Sequence, residues 1–209
     1  MTANRRGGEV TRRDRPGNGQ DGAVSEESLT GRLLVATPAL REPTFARTVI
    51  VLLEHGPTTG ALGVVVNRTI NAPLGDVLPS VADLASEPAL LFDGGPVAPQ
   101  TAIARGLARA GGDPDGWSPV VPPLVTVDLD HDPVLLATSL TALRVFVGYA
   151  GWSPGQLEAE VDEGSWYVVD GLPLDCFTAD PARLWSAVLH RQPWPLSAVA
   201  VCPLDPSMN

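Results

Sequence analysis

The feature of this sequence that most constrains its fold is the shortness of its apolar segments. The longest uninterrupted aliphatic run, residues 49–53, is far shorter than the roughly 20 apolar residues that a membrane-spanning helix needs. Apolar runs of this length are typical of strands and short helices in a globular core. The sequence therefore predicts a soluble globular protein without a membrane-spanning segment.

Apolar segments of strand length alternate with helical segments along the chain. Strands are predicted at residues 32–36, 48–54, 61–67, 89–92, 124–128, 143–148 and 166–169. Residues 55–60, between the second and third strands, have the glycine and proline content of a hairpin loop. Residues 110–123 contain four prolines and are predicted to form a long loop.

Three predicted helices begin with the same signal, an Asp or Ser followed by proline. Proline is tolerated at the first helical position because its missing N–H would have no partner there, and Asp or Ser can cap the helix. The starts are Asp132-Pro133, Ser153-Pro154 and Asp180-Pro181, with ends expected near residues 140, 161 and 190. A short helix over 74–84 is interrupted by Pro79. The pattern predicts an α/β fold, bordering on α+β, in a single compact domain with a mixed sheet.

The first 28 residues differ in composition from the rest of the chain. They are rich in glycine and lack Leu, Ile, Phe and Trp, so they cannot bury enough apolar surface to offset the entropy of ordering. We predict a disordered tail over residues 1–28 and a folded domain over residues 29–209. The tail has five basic and five acidic residues, so the domain carries the whole net charge of −10.

All 14 basic side chains are arginine, since the chain contains no lysine. This excludes chemistry that needs a lysine amine, such as a Schiff base, a pyridoxal-phosphate anchor or a Walker A phosphate contact. The two cysteines and three histidines show no metal-ligand spacing. We therefore assign no catalytic residue and predict no cofactor and no metal site.

Residues 151–155 match the nucleophile elbow G-x-S-x-G of hydrolases, with Ser153 at the centre. A predicted strand precedes the motif and a helix follows it. The oxyanion hole of such enzymes uses the backbone N–H of the residue after the serine, and Pro154 has none. The same residues fit a capping box better, with Ser153 as the N-cap and Gln156 as its reciprocal partner.

Glu54 and His55 are adjacent at the end of a predicted strand and could form an acid–base pair. Neighbours on a strand point to opposite faces, so they reach one substrate atom only if the strand ends between them. The alternative, which we favour, is a strand-end pair that caps the hairpin loop.

Acidic residues dominate the surface expected of the domain. Four of them on the helix after Ser153 are interpreted as a solvated acidic face: Glu158, Glu160, Asp162 and Glu163. Nucleic-acid binding favours a basic surface, so direct contact with nucleic acid is not expected. Three arginines could still form a local positive patch: Arg41, Arg47 and Arg68.

Several short segments of the sequence form a recognisable combination. They are LVATP (34–38), PTFARTV (43–49), EH (54–55), GALGVVVNR (60–68), GGPV (94–97), GYAGW (148–152) and GQLEAE (155–160). In combination and in this order they resemble the YqgE/AlgH family of small bacterial proteins, from about residue 31 to the C-terminus. The ending at 191–197 is similar to actinobacterial members.

The resemblance implies an α/β fold with a bifurcated or barrel-like mixed sheet flanked by helices, and a cytosolic protein. It implies little about chemistry. The family's usual label, transcriptional regulator, is not tied to a recognised DNA-binding motif, and no catalytic residues can be carried over.

Polar residues and glycines near the ends of the apolar strands are the candidate ligand site, because binding residues concentrate in loops held by a rigid scaffold. The candidate residues are Thr37, Glu54, His55, Asn67, Arg68, Gly94 and Gly95. We interpret the chain as a cytoplasmic, non-enzymatic regulatory or binding protein whose partner is a small molecule or a protein. The alternative is an enzyme or small-ligand-binding protein with a site around Glu54, His55 and the 94–96 loop. The oligomeric state is left open.

Overall fold

The computed structural model describes residues 28–110 and 117–203, so the predicted tail lies outside the described residues apart from Ser28. The strands within these ranges are β1 (Leu33–Ala36), β2 (Val49–Gly56), β3 (Gly60–Val65), β4 (Thr69–Pro73), β5 (Leu90–Asp93), β6 (Val97–Ala108), β7 (Ser118–Val121), β8 (Leu124–Val127), β9 (Leu140–Trp152) and β10 (Trp166–Val169). The α-helices are α1 (Leu74–Val77), α2 (Pro133–Ser139), α3 (Gln156–Asp162), α4 (Pro181–His190) and α5 (Leu196–Val199). Two 3-10 helices span Pro79–Leu84 and Pro173–Phe177. No helix in the described part of the chain is long and apolar enough to cross a membrane.

The long strand β9 organises the sheet. One edge of β9 pairs antiparallel with β6, while the other edge pairs first with β5, in parallel, and then with β3. The main strand order is β10-β1-β2-β3-β9-β6-β8-β7, and β4 joins through β5. The sheet therefore divides along β9 and curls into a half-barrel, which confirms the predicted mixed, bifurcated architecture.

The strands β1 and β2 are buried on both faces, which explains their continuous apolar sequences. Because side chains alternate along a strand, each face receives every second residue. On one face Leu33, Val35 and Val51 pack against the apolar stripe of α4. On the other face Leu34 and Ile50 pack in a cluster completed by Trp152, Leu157 and Trp166.

The predicted helix-start signals are confirmed at two positions and wrong at the third. Asp132 accepts a hydrogen bond from the N–H of Val134 at 2.8 Å, and Asp180 accepts one from Arg183 at 3.3 Å. The helix α3 instead begins after Gly155, whose φ is +76°, and the Ser153 side chain does not cap it. Only the reciprocal half of the predicted capping box forms, with the Ser153 N–H donating to Gln156 Oε1 at 3.0 Å.

The sequence underestimated the strand content. Three strands were not predicted, namely β4, β6 and β7, and β7 lies inside the segment expected to be a loop. Most of β6 before residue 104 is exposed or half-buried, and it contains Pro99 and Gln100, so its hydrophobic pattern is weak. The helix predicted over 74–84 is two short helices, because Pro79 ends the first and opens the second.

Two glycines allow strands to approach each other closely at their ends. Gly60 opens β3 with φ +79°, and a Cβ there would lie 2.1 Å from the carbonyl oxygen of Trp152. Gly95 has φ +142°, and a Cβ there would lie 2.4 Å from the backbone of Tyr149. A larger residue at either position would clash with β9 as well as strain the backbone.

Candidate functional site

The structure distributes the seven predicted site residues over three places. Thr37 and His55 lie on the face of the sheet that α3 covers. Glu54 lies on the opposite face, at a cavity inside the curl of the sheet. Asn67, Arg68 and the 94–95 glycines lie around the loop at residues 43–47. The set does not converge on one site.

His55 connects three separate parts of the chain. Its Nδ1 accepts the backbone N–H of Leu29 at 3.1 Å, and its Nε2 lies 2.8 Å from Glu158 Oε1. Because Nδ1 is an acceptor, the neutral ring carries its proton on Nε2 and donates it to Glu158. The side chain is only 4% exposed. Strand β2 continues through Glu54 and His55 to Gly56, so these two residues point to opposite faces and do not form an acid–base pair.

Thr37 lies on the same face of the sheet as His55. Its hydroxyl donates to the carbonyl oxygen of Gly164 at 2.8 Å, and its N–H donates to Ser165. These bonds join the end of β1 to the turn between α3 and β10. They account for the buried polar side chain without a ligand.

The interpretation of α3 as a solvated acidic face is wrong for two of its four acidic residues. Glu158 binds His55, and Glu160 accepts hydrogen bonds from the indole N–H groups of Trp152 and Trp166, at 2.9 and 2.8 Å. Asp162 and Glu163 are exposed, as predicted. The acidic residues on the inner side of α3 therefore attach the helix to the sheet.

The hydrogen bond between His55 and Glu158 makes stability depend on pH. A hydrogen bond from its own backbone N–H, together with His55, holds the pKa of Glu158 below its usual value against the opposing effect of partial burial. A carboxyl group with a lowered folded-state pKa stabilises the protein above its unfolded pKa, and the stabilisation is lost as pH falls through the folded value. We expect the stability advantage of the wild type over Glu158→Gln to shrink as the pH falls below the ordinary glutamate pKa of about 4.3.

Urea unfolding of both proteins across this pH range measures the advantage directly. Glu163→Gln is a matched control, because Glu163 is exposed and has no hydrogen-bond partner among the described side chains. If the stability difference between the wild type and Glu158→Gln stays constant from neutral pH into the acid range, the role given to Glu158 is contradicted.

Asn67 and Arg68 hold the backbone of the 43–47 loop. The Asn67 amide donates to the carbonyl oxygen of Arg47 and accepts the N–H of Val49, both at 2.9 Å. The Arg68 guanidinium donates to three carbonyl oxygens of the loop, those of Pro43, Thr44 and Ala46. Both residues therefore have a structural role, and both also line an open cavity beside α4.

A buried charged side chain lines the cavity inside the curl of the sheet, which we call the curl cavity. Its volume is about 340 Å³, and it is lined by Leu53, Glu54, Leu62, Ile103, Arg105, Val120 and Thr126. Strands β2, β3, β6, β7 and β8 each contribute to this lining. The walls are mainly aliphatic, and one cationic group is buried among them.

That group is the guanidinium of Arg105, whose residue is 1% exposed. It donates to the hydroxyl of Thr126, and its buried Nε has no hydrogen-bond partner among the described residues. None of the ion pairs in the described part of the chain includes Arg105. Burial lowers the pKa of Arg105 to about 10, against the opposing effects of Cys176 and Glu54, so the group is still charged at neutral pH.

A second buried arginine lies directly opposite Arg105 on the neighbouring strand. Arg144 on β9 is the register partner of Arg105 on β6, and it is 2% exposed. Like charges directly opposite each other on adjacent strands are destabilising. Arg144 differs from Arg105 in that it donates to the carbonyl oxygens of Ser86, Glu87, Cys176 and Thr178. The Nε of Arg144 is also buried without a partner among the described residues, but its other donors bind four carbonyl oxygens, whereas Arg105 donates only to Thr126.

The described residues offer little for covalent or metal chemistry near these arginines. Burial raises the pKa of Cys176 to about 12, so this thiol is protonated and unreactive at neutral pH. Nowhere in residues 28–110 and 117–203 do three His, Cys, Asp or Glu side chains gather in a group that could hold a metal ion.

Arg105 was not among the predicted site residues, although the sequence contains a signal for it. In a strand, residues 103, 105 and 107 share one face, and Ile103 and Leu107 are apolar. An arginine between two apolar residues on one face is the pattern of a buried charge. The signal was missed because β6 itself was not predicted.

Comparison with known proteins shows what this chain is similar to. A family model described as AlgH-like matches residues 33–197. A UPF0301 protein of Streptomyces coelicolor is 49% identical over 192 residues, which cover 90% of this chain and 99% of that protein. A UPF0301 protein of Mycobacterium tuberculosis is 44% identical over 189 residues, with 89% and 93% covered.

Two solved structures have the same fold. A crystal structure of a Corynebacterium diphtheriae protein matches with a TM-score of 0.78 and 30% identity, covering 91% of this chain and 94% of the other. The solution structure of AlgH from Pseudomonas aeruginosa matches with a TM-score of 0.63 and 28% identity, covering 86% and 96%. The chain belongs to the AlgH-like UPF0301 family, whose molecular function is uncharacterised.

Proposed function

We propose that this protein is a non-catalytic binding protein that holds a small monocarboxylate in the curl cavity. The observation that supports the proposal most directly is the buried guanidinium of Arg105, which has an unpartnered Nε and no carboxylate partner among the described residues. An unpaired buried charge is costly, by several kcal/mol even after relaxation. A bound carboxylate would supply the missing charge and accept two parallel hydrogen bonds from the guanidinium.

The lining of the cavity limits the class of ligand. Leu53, Leu62, Ile103 and Val120 give it aliphatic walls, and a volume of about 340 Å³ is at the small end of ligand pockets. Such a space suits an acid with a short aliphatic or aromatic body. Glu54 contributes a carboxylate to the lining and is itself exposed, so a second negative charge on the ligand would be repelled there. This favours a monoanion over a dianion.

Binding rather than catalysis fits the groups that are present. The described lining offers one carboxylate and one hydroxyl, but neither histidine nor cysteine, so it lacks a nucleophile–base pair. The acidic balance of the chain favours action through a protein or small-molecule partner over direct contact with DNA. We therefore assign the protein a regulatory role in which ligand occupancy is the signal. Its two free cysteines are consistent with a cytoplasmic location.

Replacing Arg105 with methionine tests the proposal, because the variant should keep or gain stability while it loses carboxylate binding. An apolar side chain of similar volume removes an uncompensated buried charge, so the ligand-free variant should be as stable as the wild type or more stable by about 1 kcal/mol. The variant should also lose carboxylate binding. Urea unfolding measures the first effect, and calorimetric titration with butyrate and benzoate measures the second.

Arg109→Met is the matched control, because Arg109 follows β6 and is exposed. It should leave both stability and binding unchanged. If Arg105→Met is strongly destabilised, the guanidinium is a structural element and the proposal fails. If the wild type binds neither acid, or binds butanol as tightly as butyrate, the cavity is not a carboxylate site.

A further inference from the structure

A second cavity lies on the other side of the molecule from α3, between the 43–47 loop and helix α4. We call it the loop cavity. Its volume is about 360 Å³, and the groups that matter in its lining are Arg47, Asn67, Arg68 and Trp185. No Asp or Glu is among its described lining residues, although the chain as a whole carries a net charge of −10. Two cationic groups thus share one wall without a carboxylate.

Both guanidinium groups are held in fixed positions by backbone carbonyls. Arg47 Nη2 donates to Cys202 and Pro203 at 2.8 and 2.6 Å, and its guanidinium lies 3.8 Å from the centroid of the Trp185 ring. Arg68 uses three donors on the 43–46 carbonyls. An arginine has five N–H donors, so Arg47 keeps three and Arg68 keeps two that have no partner among the described residues.

Fixed guanidinium groups bind anions well, because little side-chain entropy is left to lose on binding. The unused donors are Nε–H and Nη1–H groups, each of which can donate one charge-assisted hydrogen bond to a phosphate oxygen. The Nε of both arginines and the Nη1 of Arg47 have no partner and are not among the buried unsatisfied atoms of the described residues, so they face solvent or the cavity.

The backbone at Arg47 is held in an unfavourable conformation. Its φ is +60°, a left-handed value that a residue with a Cβ rarely adopts. Asn67 stabilises this conformation by binding the Arg47 carbonyl oxygen and the N–H of Val49. Strain of this kind concentrates at binding sites, where the surrounding structure over-determines it. Here it directs the Arg47 side chain onto Trp185, next to Arg68.

We propose that the loop cavity binds a phosphate group, as free phosphate or as the monoester of a small molecule. Two positive charges match the double charge of phosphate, and its three terminal oxygens can accept from both arginines at once. This site is separate from the curl cavity: it is open, lies beside α4, and has two cations and no carboxylate in its described lining. The proposal therefore stands or falls independently of the monocarboxylate site.

The test is a nuclear magnetic resonance titration of the full chain with inorganic phosphate, glycerol 3-phosphate and, as the uncharged control, glycerol. We expect saturable shifts of the Trp185 indole N–H and the Asn67 side-chain amide with both phosphates and none with glycerol. Tighter binding of the ester identifies a monoester ligand, and equal binding identifies free phosphate. The absence of saturable shifts up to about 10 mM of either phosphate would overturn the proposal.

Variants separate charge recognition from loop structure. Arg68→Gln should weaken phosphate binding by about tenfold or more, since a charge-assisted hydrogen bond contributes that much. Arg183→Gln is the control, because Arg183 lies on α4 with an 85% exposed side chain and does not line the cavity. If Arg68→Gln unfolds at a lower temperature than the wild type, Arg68→Lys is used instead. Lysine keeps the positive charge, so this variant should retain measurable phosphate binding. Equal affinities of Arg68→Gln and Arg183→Gln would contradict the proposal.

Discussion

Replacing Arg144 with alanine is expected to destabilise the protein by about 4 kcal/mol or more, because a buried charged group that donates four hydrogen bonds is costly to remove. Arg144 donates to the carbonyl oxygens of Ser86 and Glu87 before β5 and to those of Cys176 and Thr178 before α4. It also lies 4.2 Å from the centroid of the Phe92 ring. Alanine would leave these carbonyls unpaired and open a cavity beside Phe92.

Urea unfolding of Arg144→Ala measures this loss, and Arg144→Lys refines its cause. Lysine keeps the charge but cannot reach two separate pairs of carbonyls with a planar fork, so an intermediate loss is expected. The exposed Arg109→Ala should have an effect within about 0.5 kcal/mol. Unfolding of Arg144→Ala at the wild-type urea midpoint would show that the four hydrogen bonds contribute little.

Replacing Glu160 with alanine should destabilise the protein by about 3 kcal/mol, because each unsatisfied buried donor costs roughly 1–3 kcal/mol. One oxygen of Glu160 accepts the indole N–H groups of both Trp152 and Trp166, and the other accepts the side-chain amide of Gln156 at 3.0 Å. Both indoles are buried, so water cannot replace the lost acceptor at low cost.

Glu160→Gln retains one carbonyl oxygen and should lose about half as much stability as the alanine variant. Asp162→Ala is the matched control on the same helix, because Asp162 is exposed. Tryptophan fluorescence reports the environment of the two indoles, and urea unfolding gives the free energies. If Glu160→Ala and Asp162→Ala are equally stable, the indole bonds do not hold α3 on the sheet.

The parts of the fold that were predictable are those with strong local signals. Strands β1, β2 and β3 have continuous apolar runs, and α2 and α4 have an Asp–Pro start, so each was predicted with nearly correct bounds. The bifurcated sheet followed from the family resemblance, since no pattern in a single sequence shows that β9 pairs with three other strands.

The strands that were missed lack a strong hydrophobic pattern. The end of β9 includes Gly148 and Gly151, and the start of β6 includes Pro99, Gln100 and Thr101, so both read as loop. They are strands because long-range pairing between β6 and β9 overrides local propensity. Because β6 was not predicted, the cross-strand pair of Arg105 and Arg144 could not be recognised.

The candidate site was predictable only in part. Thr37, His55 and Asn67 were proposed as ligand-site residues, and in the structure their polar groups form hydrogen bonds to other parts of the chain. Which of these side chains share a cavity depends on the curl of the sheet, and the sequence does not encode that curl locally. Glu54 reaches the curl cavity, whereas its neighbour His55 lies on the other face.

The most direct test of the central claim is to observe the Arg105 guanidinium itself. Its Nε–H is buried and has no protein partner among the described residues, so its resonance in a nitrogen–proton spectrum should be resolved and protected. We predict that this resonance, assigned by its absence from Arg105→Met, shifts saturably with butyrate and does not shift with butanol. A resonance that is unmoved by butyrate and benzoate at concentrations that saturate any binding to the protein would contradict the assignment of the curl cavity as a carboxylate site.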